Sequence, residues 1–240
     1  MRLDKKKMIA AIIVACTTLF IAIGIHEKKD TRKQLKFGAT YMTMNNPYFV
    51  NMDENIEESV QAKGDILITR DPLQDQKKQN EQIKDMINEG IDVLFLQPVD
   101  RNKVRPALEL CKKKHIPVVV IDSEVSDTEA VVSTIVSDNY DAGVQCAKDM
   151  MKKKTSANII IVNQKALNSI NERVKGFRDT IKGHPQYKIV EEKESAAEFE
   201  IAMKVMEEII YEKKNYDVVM GGYDPIALGC IAAMQMTDKT

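Results

Sequence analysis

At 240 residues, 44% hydrophobic and 30% charged, the chain has the composition of a globular protein with room for one large domain or two lobes. Its 35 basic residues nearly cancel its 36 acidic ones, and a net charge of −1 excludes the basic footprint of a nucleic-acid binder. Cys111, Cys146 and Cys230 lie far apart with no CxxC, which excludes a disulfide framework or zinc site and leaves them as small core residues.

In chain order, residues 1–7 form a basic N-terminus with Arg2, Lys5, Lys6 and Lys7. The charge-free run Met8 to Ile25 then reads as a transmembrane anchor with its N-terminus inside. A competing reading takes Ile13-Val14-Ala15-Cys16 as a lipoprotein box with Cys16 lipidated, but the apolar continuation Thr17 to Ile23 favours an uncleaved anchor. Both readings tether the folded part outside the cytoplasm, after a charged linker over 26–34.

Short β-rich runs follow at Lys36–Thr40, Asp65–Thr69, Ile91–Leu96, Pro117–Ile121, Val131–Val136, Asn158–Val162, Lys188–Val190 and Asp217–Met220. Amphipathic segments of helical length separate most of them, at Gln74–Glu89, Asn139–Lys154, Asn171–Lys182 and Glu198–Lys213. Lysine runs at Lys112–Lys114 and Lys152–Lys154 close predicted helices, where cations complement the dipole. This alternation predicts an α/β fold of doubly wound parallel sheets, and the unbroken apolar runs Val93–Leu96 and Val118–Ile121 predict strands covered on both faces.

The rhythm breaks once. Between Pro117–Ile121 and Val131–Val136 there is no room for a helix, so we place a hinge at Val136 to Asn139, with one lobe over 35–137 and a second over 138–240. The second lobe has three predicted strands before the chain ends, and we expect it to be incomplete.

No GxGxxG, GxxxxGK[ST] or HExxH is present, and His26, His115 and His184 sit at unrelated turns or beside the apolar segment. We therefore expect no enzyme, no metal and no cofactor. The chain does carry polar and aromatic groups just after its predicted strands: Asn45-Asn46-Pro47-Tyr48-Phe49, Gln97-Pro98, Asp122-Ser123, Gln164 and Tyr223-Asp224. Strand carboxyl ends border one crevice in open α/β sheets, so these scattered groups are expected to converge there. Amides and carboxylates supply directed hydrogen bonds and aromatic faces stack on sugar C–H faces, which suits a neutral polyol. Packing roles compete with this: Asn46 as N-cap, Tyr48 and Phe49 as core, Asp122 as a turn cap, Tyr223 as a core tyrosine, Asp138 and Asn139 as caps.

Six motifs taken in order carry a family resemblance: Asn45 to Phe49, Leu96 to Asp100, Ile116 to Asp122, Ser137 to Gly143, Glu172 to Phe177 and Asp224 to Gly229. Over about Leu35 to Gln235 the sequence resembles the periplasmic sugar-binding proteins of the ribose-binding type, the type I solute-binding proteins of ABC transporters. The resemblance implies a two-lobed fold and sugar contacts at Asn46, Tyr48, Phe49, Asp122 and Arg173, with Tyr223 in place of the family's usual asparagine. Ser123 stands where ribose binders carry an arginine, Ala197 where an aromatic stacks, and the last family aspartate and glutamine would lie beyond Thr240. It further implies capture of a sugar or polyol and delivery to an ABC permease, or, with an anchor, sensing on behalf of a receptor or histidine kinase. A cytoplasmic repressor of this fold would need a helix-turn-helix where the chain has apolar sequence.

Overall fold

The computed structural model describes residues 32–237. The candidate anchor at Met8 to Ile25 lies outside the described residues; among the described residues no helix is long and apolar enough to cross a membrane. Residues Leu35–Thr240 form one compact unit.

The expected alternation is present. Strands β1 (Lys36–Thr40), β2 (Ile66–Arg70), β3 (Val93–Leu96), β4 (Val118–Ile121) and β5 (Val131–Ile135) make one sheet in the order β2-β1-β3-β4-β5. Strands β6 (Ala157–Asn163), β7 (Tyr187–Glu194) and β8 (Val218–Gly221) make a second in the order β7-β6-β8. Every pairing is parallel. The helices between them are α1 (Pro47–Gln61), α2 (Gln76–Asn88), α3 (Arg105–Lys114), α4 (Asn139–Lys153), α5 (Asn168–Ile181), α6 (Phe199–Tyr211) and α7 (Asp224–Met236).

Both strand orders reverse beside their first strand, between β1 and β3 and between β6 and β8. Such switch points open a crevice at the strand carboxyl ends, because successive connections leave to opposite faces. The residues following β1, β3, β6 and β8 are therefore the ones the topology gathers.

In the first lobe, helices α2 and α3 bury Ile83, Met86 and Leu108 with Leu94, Leu96, Val118 and Val120 of the sheet. Helix α1 packs on the opposite face through Met52 and Ile56. Val93, Phe95 and Val119 are only half-buried, which corrects the expectation of full cover on both faces. On that side Ala39, Tyr41, Phe49 and Ile121 join one continuous apolar cluster with the second lobe's Ile160, Ile161, Ile170 and Phe177. Edge strand β5 exposes Val132 and Ile135, and the chain passes from it into α4 with no intervening strand. Cys111 and Cys230 are core residues as expected, but Cys146 on α4 is exposed.

Candidate functional site

The corner between β1 and α1 does two things with one side chain. Asn46 is the N-cap: its Oδ1 accepts a hydrogen bond from the Tyr48 amide at 2.9 Å, and Pro47 supplies a helix-ready φ at the first position. With Oδ1 committed, Nδ2 is aimed away from the helix, and it donates to the Tyr223 hydroxyl of the second lobe. One amide thus serves both the cap and a hydrogen bond to the second lobe. Tyr48 is 48% exposed, whereas Phe49 is fully buried, 5.8 Å from the Tyr41 ring and edge-on to Tyr48 at 5.4 Å. Adjacent helical positions point about 100° apart, so only one of two neighbouring aromatics can face the cleft; Phe49 lies behind Tyr48 as its packing support.

Asp122 follows β4 with φ at +63°, a left-handed conformation that aspartate tolerates better than most residues. Burial raises its carboxyl above the usual range, against the opposing pull of the Arg173 guanidinium and the Gln97 amide. The same carboxylate pushes up the hydroxyls of Tyr48 and Tyr223, both already raised by burial, while Arg173 acts in the opposite sense on each. Asp122, Arg173, Tyr48 and Tyr223 therefore share one electrostatic neighbourhood, although they are spread from the first lobe to the last helix. Ser123 does something else. It is fully buried, and its Oγ accepts from the Ser169 amide at 3.3 Å, tying the lobes together behind the cleft. Beside it Arg101 donates to Asn168 Oδ1 and Asn168 Nδ2 donates to Glu124, a second cross-lobe link.

Arg173 is set by close helix contact. A Cβ on Gly143 would stand 1.9 Å from the Arg173 carbonyl oxygen, and one on Gly176 would stand 2.0 Å from that of Tyr140. Only paired glycines let the backbones of α4 and α5 touch in this way. The Arg173 Nε then donates to Asn139 Oδ1 at 2.9 Å and Nη1 to the Gly222 carbonyl at 3.4 Å. Asp138 is the N-cap of α4 through the Asp141 amide, as expected. Asn139 is not a cap but the partner that orients Arg173, a role that helix-start patterns do not signal.

A cavity of about 310 Å³ opens beside the Asn46–Tyr223 contact. Thr43, Asn46 and Gln74 line it from the first lobe, and Glu198, Phe199 and Asp224 from the second. Ala197 also borders it and is buried, while the Phe199 ring is 38% exposed. Sequence reasoning passed over Thr43 and Gln74 entirely. Gln74 comes into place because Leu73 and Gln74 both take positive φ, 55° and 62°, which bends the chain before α2.

Among the described residues no group of three or more His, Cys, Asp or Glu side chains is placed to hold a metal. The site's chemistry is that of directed hydrogen bonds, the carboxylates of Asp122, Glu198 and Asp224, one guanidinium and exposed ring faces. These hold a ligand and orient it.

Comparison with known proteins agrees with that character. The ribose import binding protein RbsB of Bacillus subtilis is 24% identical over 243 residues, covering 98% of this chain and 79% of the relative. A D-apiose import binding protein of Paraburkholderia graminis is 25% identical, covering 96% of this chain and 73% of the relative. Among solved structures, an ABC transporter solute binding protein from Mycobacterium smegmatis with bound glycerol aligns with a TM-score of 0.80 at 26% identity, covering 86% of this chain and 72% of that one. Residues 37–240 match the Periplasmic binding protein domain family, and the chain belongs to that family, with two doubly wound parallel lobes.

Proposed function

We propose that the protein captures a sugar or similar polyol between its lobes and, in the closed form, presents it to an ABC permease. The reading is supported by one observation: a hydrogen bond from Asn46 of the first lobe to Tyr223 of the second stands beside a cavity lined by both lobes. A ligand that bonds to both lobes at once stabilises the closed arrangement by its differential affinity for it. The pairing of a half-buried carboxylate with a guanidinium, amides and phenol hydroxyls fits a molecule rich in hydroxyl groups and carrying no net charge. Phe49 acts behind Tyr48 in this scheme, fixing the ring that stacks. The chain acts outside the cytoplasm in this reading, tethered through its N-terminal segment.

Relatives that import ribose and apiose favour transport. A second reading, a sensor module signalling to a receptor or histidine kinase, is supported by the use of the same fold in the fructose-binding periplasmic domain of a hybrid two-component system, with a TM-score of 0.79 at 23% identity. Both readings need the cleft to bind. A thermal-shift screen of the full chain against D-ribose, D-apiose, D-fructose, myo-inositol and glycerol tests it. A ligand at 100 times its Kd adds about 2.7 kcal/mol of stability, a shift of several degrees. If none of these moves the transition, the polyol reading fails.

A further inference from the structure

Helices α1, α2 and α4 are each capped by the side chain of their own N-cap residue, Asn46, Asp75 and Asp138. Helix α5 is not. Its N-cap is Leu167, a buried side chain with no acceptor, and Asn168 at the first helical position turns its side-chain amide toward the other lobe. An N-cap side chain ordinarily accepts from the second or third helical amide. Here the second, that of Ser169, donates at 3.3 Å to Ser123 Oγ, a fully buried hydroxyl of the first lobe. Glu124, next in the chain, accepts from Asn168 Nδ2 and so brings a carboxylate to the same helix end, where negative charge complements the dipole. The start of α5 is therefore satisfied from across the lobes.

The junction is prepared on both sides. In the first lobe Ser126 holds Arg101: its Oγ accepts from Arg101 Nε at 3.0 Å, and its backbone N–H donates to the Arg101 carbonyl at 3.0 Å. Thus fixed, Arg101 donates through Nη1 to Asn168 Oδ1 and through its backbone N–H to the Ala166 carbonyl at 3.2 Å. In the second lobe the loop ahead of α5 is closed by Asn171 Nδ2, which donates to the Lys165 carbonyl at 3.0 Å. Each cross-lobe bond joins protein to protein, so none depends on what the cleft holds.

We propose that the first lobe caps α5 across the cleft and that this junction is a latch: Ser123, Glu124 and Arg101 hold the lobes closed independently of a ligand, and parting the lobes uncaps the helix that carries Arg173. Opening then frays the first turn of α5, because the Ser169 amide and the Asn168 side chain lose their partners together. A standing closed population raises the apparent affinity for a ligand bound by the closed form, in proportion to that population. The proposal rests on the reading that the lobes part to admit a ligand, but its test uses none.

The full chain, Ser123→Ala and Arg101→Met are compared without ligand by hydrogen–deuterium exchange of peptides covering the start of α5 and by small-angle scattering. Ser123→Ala removes the cap, whereas Arg101→Met keeps the apolar stem and removes a side chain that bonds no backbone amide of α5. Loss of one hydrogen bond is expected to raise the open population about fivefold, and the charge-assisted bond of Arg101 by more. Exchange at Ser169 and Ile170 therefore speeds by about that factor in both variants, and the radius of gyration rises in both. Faster exchange in Ser123→Ala alone, with scattering unchanged, overturns the proposal, since the hydroxyl is then a local cap and no latch. Exchange and scattering both unchanged in Arg101→Met overturn it as well, and that variant, at a half-exposed position, decides alone should Ser123→Ala not fold. Faster exchange in both variants of a protein that binds none of the five polyols keeps the latch and removes the polyol reading.

Discussion

Asn46 and Tyr223 are 177 positions apart in sequence and joined by one hydrogen bond, from the capping asparagine of the first lobe to the phenol of the second. Asn46 spends Oδ1 on its own helix and Nδ2 on the other lobe, so the start of α1 and the closure of the cleft are mechanically linked. The two functions separate by substitution. Asn46→Ala loses both and destabilises the fold by about 0.5–2 kcal/mol through the lost cap. Asn46→Asp keeps the cap and loses the donor, so its melting temperature stays near that of the parent while the lobes part more readily. Melting curves read the cap, and the radius of gyration from small-angle scattering reads the cleft.

Tyr223→Phe keeps the ring and removes the acceptor. A neutral hydrogen bond contributes about 1 kcal/mol, so the balance between closed and open forms shifts toward open by about fivefold. A double-mutant cycle with Asn46→Asp is expected to be non-additive, since both variants remove the same contact. Additive effects on the scattering profile would place the two side chains in separate interactions.

The Asp122 carboxyl is raised by burial, and the sign of its pH effect follows. Below its ordinary value of 3.8 the carboxyl is protonated in both folded and unfolded chains and imposes no penalty. As pH rises through the elevated folded value, ionisation is easier in the unfolded chain, and the stability contributed by the protonated form is lost. Asp122→Asn is accordingly expected to melt higher than the parent at pH 7, with the difference vanishing toward pH 3. The same substitution weakens ligand binding at pH 7, which makes Asp122 a group retained for binding at a cost in stability. Chemical denaturation at the two pH values measures the first effect and calorimetry the second.

Gly176→Ala introduces a Cβ 2.0 Å from the Tyr140 carbonyl oxygen, a backbone atom that cannot move without shifting α4. We expect a loss of about 1–3 kcal/mol, as for overpacked cores. Because Arg173 lies on the same helix and reaches Asn139 on the other, ligand affinity is expected to fall well beyond what the stability loss explains. An affinity unchanged at temperatures where the variant is fully folded would show that the helix contact does not set Arg173.

Strand and helix alternation was legible because parallel strands bury apolar residues and crossover helices are amphipathic. β1 matches the expected bounds and most other strands begin or end within a few residues of them. The larger misses have local causes. Strand β7 runs Tyr187–Glu194, well beyond the expected Lys188–Val190, because it is an edge strand that alternates half-buried and exposed positions after Tyr187 and so accommodates Glu192 and Glu194. Helix α5 starts at Asn168 rather than Asn171, because Asn168 and Ser169 look like loop residues until their cross-lobe bonds to Arg101, Glu124 and Ser123 are seen. At the site, Asn46, Asp122 and Tyr223 were singled out by their position after strands and Arg173 by its motif, and Asn46 is joined to Tyr223 across the lobes. Gln97 and Asn139 were singled out too, but not their partners, the Met42 amide and the Arg173 guanidinium, since the direction of a side-chain amide is decided by tertiary contacts that carry no sequence spacing.

The most direct measurement is calorimetric titration of the full chain with the five polyols, repeated on Asp122→Asn in the first lobe and Arg173→Met in the second. Asparagine keeps the left-handed turn accessible and methionine keeps the packed stem, so both variants are expected to fold. The account predicts saturable one-to-one binding of at least one polyol by the parent, weakened 100-fold or more by either single substitution, because the ligand is held by both lobes at once. Binding that survives both substitutions, or a parent that binds none of the five, would contradict it.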